Sequence, residues 1–136
     1  MKYFKIYASR EYSVENVIFF EEVSIFKTLN ENKKEIRAKE MGKIFFEPDS
    51  IHEINTSKSL ISIVLQDIQD GKICEYLFDI VLRDVIQNNL SDTFQRFVIS
   101  DLYVEMKKKT KKKNIFCLNN MFVIVNKIFF IISTLL

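Results

Sequence analysis

The sequence predicts an all-α fold, an antiparallel helical bundle. Apolar residues recur at helical spacing in successive segments joined by short polar breaks, the pattern of helices packed through one face each. The 136 residues include only two Gly and one Pro, which excludes collagen-like, linker-like and turn-dense β classes. With 48% apolar and 28% charged residues, the chain is globular and long enough for one domain with a sizeable core.

The elements follow in order. Tyr3 to Ser9 reads as a short helix. Ser13 is placed to N-cap the next, with Glu15 in its first turn and Val17, Phe20 and Val23 to Phe26 at helical spacing. Glu31 to Lys34 reads as a polar break, and Lys34 to Phe46 as a second long helix stopped by Pro48. Asp49 to Thr56 is a loop. Ser57 then caps a helix that buries Leu60, Ile61, Val64, Leu65 and Ile68 and ends at Gly71. Ile73 to Leu90 forms a fourth long helix, with Leu77, Phe78, Val81, Leu82, Val85 and Ile86 inward. Ser91 or Asp92 caps a last one, with Phe94, Phe97, Val98 and Leu102 on one face. The run Leu60 to Leu65 has strand propensity, but no partner strand exists for it.

Charge and chemistry narrow the function. The net charge of +2 is local in origin: without the six lysines of Lys107 to Lys113 the remainder carries about −4. Nucleic acid is therefore not an expected partner. Cys74 and Cys117 lie far apart and His52 is alone, so neither a disulfide framework nor a metal centre is expected, and the compartment is a reducing one. No phosphate-cradling Gly-rich loop or nucleophile elbow occurs, and no cofactor or catalytic residue is assigned. Glu21 and Glu22 are adjacent on a helix and do not face each other, so they read as a solvated face.

Several segments carry a resemblance. Glu11 to Phe20, EYSVENVIFF, resembles the signature of the regulator of G-protein signalling family, in which an acidic–aromatic–Ser entry precedes Glu-Asn and an aromatic helix. Glu53-Ile54-Asn55 resembles that family's Glu–apolar–Asn loop, and Phe78-Asp79 opens a helix as in the family. Ser91 to Phe97, SDTFQRF, resembles its late Asp–Ser/Thr–aromatic–x–Arg–Phe stretch, and Ser100 to Tyr103 fits the close. These segments stand in the family's order, over residues 3 to about 106. Phe20 stands where many members have Trp, and Asn88 where a Leu is usual. Two helices that precede this region in the family have no counterpart here, so the resemblance implies a terminal subdomain lacking part of its helices.

What the resemblance implies is a monomeric GTPase-activating protein, with no active site of its own, for the GTP-bound α subunit of a heterotrimeric G protein. It would bind the switch loops in their transition-state arrangement and so terminate signalling downstream of a G protein-coupled receptor. The alternative is a scaffold of the same fold that binds a partner without accelerating hydrolysis. The residues that map to the Gα interface are Glu15 and Asn16, then Asn55, then Asn88, Asp92, Thr93 and Arg96. Read from the residues alone, Asn16 suits a first helical turn, Asn55 a turn before a helix, and Asp92 an N-cap with Arg96 as its i,i+4 partner.

The C-terminal part divides from residues 1–106 as a basic linker over 107–113 and a hydrophobic tail over 114–136. The 22 residues from Ile115 include 14 Leu, Ile, Val and Phe, long enough for a bilayer at about 1.5 Å per residue. Lys127 near the middle costs about 2.5–3.5 kcal/mol against roughly 0.3–0.6 returned per apolar residue, and Asn119, Asn120 and Asn126 add to that cost. The tail thus reads either as a membrane-associated segment, with the lysines on the cytoplasmic side, or as a non-native extension. The expected location is the cytoplasm, at the inner face of a membrane.

Overall fold

The computed structural model describes residues 1–112; the hydrophobic tail and Lys113 lie outside the described residues. Among these residues there are seven α-helices, one π-helical turn and no strand, as the periodicity predicts. No described helix is long and apolar enough to cross a membrane. The helices are α1 (Lys2–Arg10), α2 (Val14–Phe26), α3 (Glu31–Phe46), α4 (Lys58–Gln69), α5 (Asp79–Val85), α6 (Ser91–Val98) and α7 (Asp101–Lys112), with the π turn at Ile86–Leu90. Within the described residues they fall into two compact units: Glu15–Val85, and a terminal unit formed by Met1–Val14 with residues 86–112.

The Glu15–Val85 unit is built on phenylalanine. Phe19 on α2 meets Phe45 and Phe46 of α3 with ring centroids 5.1 and 6.0 Å apart. Phe78, just before α5, stands edge-on to Phe26 at 4.9 Å and to Phe19 at 6.2 Å. Such edge-to-face pairs add about 0.5–1.5 kcal/mol beyond area burial. Val17, Val23, Met41, Val64, Val81 and Val85 fill the space around them.

Two boundaries and one cap in this unit differ from expectation. The break at Glu31 to Lys34 is helix, because the Asn30 side chain accepts from the Lys33 amide at 3.1 Å and so starts α3 at Glu31. Lys34 is buried, its Nζ reaching back to Glu31. Ser57 does start α4, yet its hydroxyl pairs with that of Ser59 and makes no cap bond. The fourth long helix begins only at Asp79. Residues 75–78 are turns that bury Leu77 and Phe78 outside regular helix, and Asp79 in the first turn pairs with Lys27 at 2.6 Å. The end of α4 is as expected: Gly71 adopts φ +71, its amide donates to Ile68 and the Lys72 amide to Asp67, a Schellman close. Of the five residues expected inside on α4, only Val64 is buried and Leu65 is exposed. Gly42 of α3 lies under Leu65, where a Cβ would stand 3.3 Å from its Cδ2.

The terminal unit packs α1 against α6 and α7. Phe97 is its hub, with ring centroids 5.3 Å from Phe4, 5.5 Å from Tyr7 and 5.4 Å from Tyr103. Phe94 stands edge-on to Phe4 at 5.5 Å, and Ala8 and Met106 complete the core. Neither Ser91 nor Asp92 caps α6. Leu90 before it is already helical, and the Ser91 hydroxyl donates to the Ile86 carbonyl at 2.6 Å, five residues back, a spacing that matches the π turn. The last expected helix is two: Ser100 breaks it by donating to the Phe97 carbonyl at 2.6 Å and accepting from the Tyr103 amide, so Leu102 falls in the first turn of α7 and is only half-buried. Where a basic linker was expected, α7 continues through the lysines to Lys112. Lysine is a good helix former. Lys109 pairs with Glu105 at 2.5 Å, and Lys107 lies over the Tyr103 ring.

Truncating the hub tests this account. Phe97→Ala is expected to cost about 3–5 kcal/mol, while Ile99→Ala, two residues on and exposed, stays within about 0.5 kcal/mol of the parent. Chemical denaturation of both variants measures the difference.

Candidate functional site

The seven residues assigned from the sequence divide between the two units. Glu15, Asn16 and Asn55 belong to the Glu15–Val85 unit; Asn88, Asp92, Thr93 and Arg96 belong to the terminal unit. Asn55, Asn88, Asp92 and Arg96 are exposed and Glu15 half-buried, whereas Asn16 and Thr93 are buried.

Asn55 sits between two anchors. On one side Ile54 is buried, and its amide donates to the Phe45 carbonyl at the end of α3 at 3.1 Å. On the other, the Thr56 hydroxyl donates to Asp84 Oδ2 on α5 at 2.5 Å. The loop before this point is also closed: the Ser50 hydroxyl donates to the Ile44 carbonyl, and Glu53 accepts from the Asp49 amide, where φ is +62. A side chain between two fixed neighbours reaches solvent from a backbone that cannot easily recede, so little ordering entropy is left to lose on binding.

At the start of α2, Asn16 Nδ2 donates to Glu15 Oε1 at 2.8 Å. The buried amide therefore holds the carboxylate that the surface presents. Thr93 has an equivalent internal role: its hydroxyl donates to the Asn89 carbonyl at 3.1 Å. Both residues act from inside.

Arg96 organises the terminal unit's polar group. Its Nη1 donates to Asp92, the i,i+4 pairing read from the sequence. Its Nε and Nη2 also donate to Glu11, with Nη2 to Oε2 at 2.6 Å. Tyr7 completes the network by donating its hydroxyl to Glu11 Oε1 at 2.6 Å. Hydrogen bonds from Arg96, then from Tyr7, hold the Glu11 carboxyl below its ordinary range, and the same carboxylate raises Tyr7.

Sequence reasoning missed three parts of this arrangement. Glu11 lies 85 residues from Arg96, and no local spacing signals that pairing. The Thr56–Asp84 bond spans 28 residues and is equally invisible. Tyr12 is 94% exposed with φ +53, an uncommon conformation for a residue with a Cβ. The Glu-Tyr-Ser run did mark this turn, though not the outward display of its ring.

The Glu11 shift sets a pH dependence. The ionised carboxylate is favoured in the folded chain, so its contribution is complete above the ordinary glutamate value and is lost as pH falls through the lowered folded value. Acid titration of stability is therefore expected to show a loss beginning below about pH 4.5, and Glu11→Gln should flatten that part of the curve. Denaturation midpoints of the two proteins across this range make the comparison.

Comparison with known proteins bears on the same residues. The model of the regulator of G protein signaling domain matches residues 1–106. The chain is also similar to human regulator of G-protein signaling 13, at 29% identity over 111 residues, covering 81% of this chain and 69% of that protein. The matched span takes in all seven assigned residues, and the described residues, helical without a strand, fit the family. This chain belongs to the regulator of G protein signaling domain family, and through it to the regulation of G-protein signalling.

Proposed function

We propose that the chain is a GTPase-activating protein for the α subunits of heterotrimeric G proteins and acts in the cytoplasm. The observation that carries this reading is Asn55, exposed between the buried Ile54 and the tied Thr56. Gα proteins carry an arginine in cis and a glutamine that orients water, so an activator need only favour the switch loops in their reactive arrangement. An amide suits that contact because it donates and accepts at once. Asp92, held by Arg96, offers an acceptor, and Glu15, held by Asn16, offers another. Each tenfold acceleration needs about 1.4 kcal/mol of preference for the transition state over the ground state.

One observation favours the rival scaffold reading. Asn88 is exposed at a position where the family usually carries a Leu. A polar side chain there weakens an apolar contact with the partner and lowers affinity more than it alters chemistry.

Single-turnover GTP hydrolysis on a panel of Gα subunits decides between the two. Acceleration is expected, together with tighter binding to Gα–GDP–aluminium fluoride than to Gα–GDP; equal affinity for both would leave the scaffold. On a responsive Gα, Asn55→Ala should lose roughly tenfold or more of the acceleration, the effect of about one well-placed hydrogen bond to the transition state, while the melting temperature barely moves. Thr56→Val, which cuts the tie to Asp84, should fall between Asn55→Ala and the parent. Full acceleration by Asn55→Ala would defeat the proposed contact. Asp92→Ala and Arg96→Ala together should lose less than the sum of the single losses, since both disrupt one network.

A further inference from the structure

The charge of this chain is segregated. The Glu15–Val85 unit carries fourteen acidic side chains against nine basic ones. The described part of the terminal unit reverses this, with nine basic against four acidic. Three of those four acids are already engaged: Glu11 and Asp92 on Arg96, and Glu105 on Lys109. Apart from Arg96, the basic side chains of this unit lie on two helices that pack together, α1 and α7. These run antiparallel, since Lys109 lies 6.0 Å from the Tyr3 ring while Arg10 acts electrostatically on Glu105. Lys2 and Arg10 of α1 and Lys107 and Lys108 of α7 are all exposed. Met106 faces inward, and Lys107, Lys108 and Lys109, which follow it, are exposed.

We infer that the α1–α7 face of the terminal unit docks on an anionic lipid surface. This does not depend on the GTPase reading. Clustered Lys and Arg near an anionic bilayer each strengthen partitioning about fivefold, and the attraction falls off within about 8 Å at physiological salt. Tyr103 and Tyr3, each beneath a lysine ammonium, add amphipathic rings of the kind that settle at headgroup level. The sequence places its most apolar stretch, 115–136, directly after this face. That order of basic block and apolar residues suits a bilayer and serves no purpose on a nucleic acid.

The test is sedimentation of the full-length chain with vesicles of phosphatidylcholine, alone or doped with phosphatidylserine. Binding to the doped vesicles should be at least about tenfold tighter and should weaken steadily as salt rises. The double substitution Lys2→Gln and Arg10→Gln, on the helix far in sequence from the apolar stretch, should reduce that binding roughly twentyfold with an unchanged melting temperature. Lys107→Gln with Lys108→Gln should do the same from α7. Equal, salt-insensitive binding to both vesicle types would assign attachment to the apolar residues alone and overturn the inference. So would an α1 variant that binds like the parent, or a chain that ignores vesicles and binds RNA or DNA.

Discussion

Burial of Phe97 is the contact on which the terminal unit depends. One ring lies against Phe4, Tyr7 and Tyr103, so the hydrophobic gain from three segments of distant sequence passes through a single side chain. It also fixes the rotation of α6. With Thr93, Phe94 and Phe97 turned inward, helical geometry leaves Asp92 and Arg96 on the outer side. The polar network is therefore a consequence of packing: Glu11 reaches Arg96 because α1 is held by Phe4 and Tyr7 against the same ring.

The Glu15–Val85 unit solves the matching problem with a loop. Phe19, Phe45, Phe46 and Phe78 form its aromatic centre, and the loop that carries Asn55 leaves from one end of it. Ile54 extends the core by one residue and Thr56 closes on α5. The loop is thus tied on both sides of Asn55, although it contains no regular structure. A surface loop placed this way has the fixed scaffold that binding residues require.

The sequence made the helices legible because their apolar positions repeat at helical spacing in successive segments, and Pro48 and Gly71 mark two of their ends by backbone geometry alone. It was weakest where side chains compete for backbone groups. Asn30 caps α3, Ser91 bonds backward and caps nothing, and Ser100 splits a helix; the same residue types can do any of these, and only the tertiary setting selects. At the candidate site, Asp92 with Arg96 was readable because it is local. Glu11 with Arg96 and Thr56 with Asp84 were not, because the fold alone brings them together. Asn16 and Thr93 were mapped to the Gα interface by the family pattern; both are buried, Asn16 bonded to Glu15 and Thr93 to the Asn89 carbonyl, and burial of this kind has no local signal.

The state of Arg96 bears on how such a chain acts. An arginine that enters another protein's active site must bring unsatisfied donors to a developing negative charge. Here Nε, Nη1 and Nη2 are each engaged by a carboxylate of the same chain, and those two carboxylates raise the guanidinium's proton affinity further. Withdrawing it would leave Glu11 and Asp92 without their common partner, while the Phe4 and Tyr7 rings still hold α1 on Phe97. The side chain is thus committed to structure, and what it leaves for a partner is the outward edge of Asp92. The same holds for Asn16, which spends its amide on Glu15. Among the seven assigned residues, the exposed or half-exposed polar groups are the carboxylates of Glu15 and Asp92 and the amides of Asn55 and Asn88, and the single cation, Arg96, is bonded to Glu11 and Asp92. That inventory suits a regulator that steadies loops already carrying their own arginine, and it is poorly suited to one that supplies the charge itself.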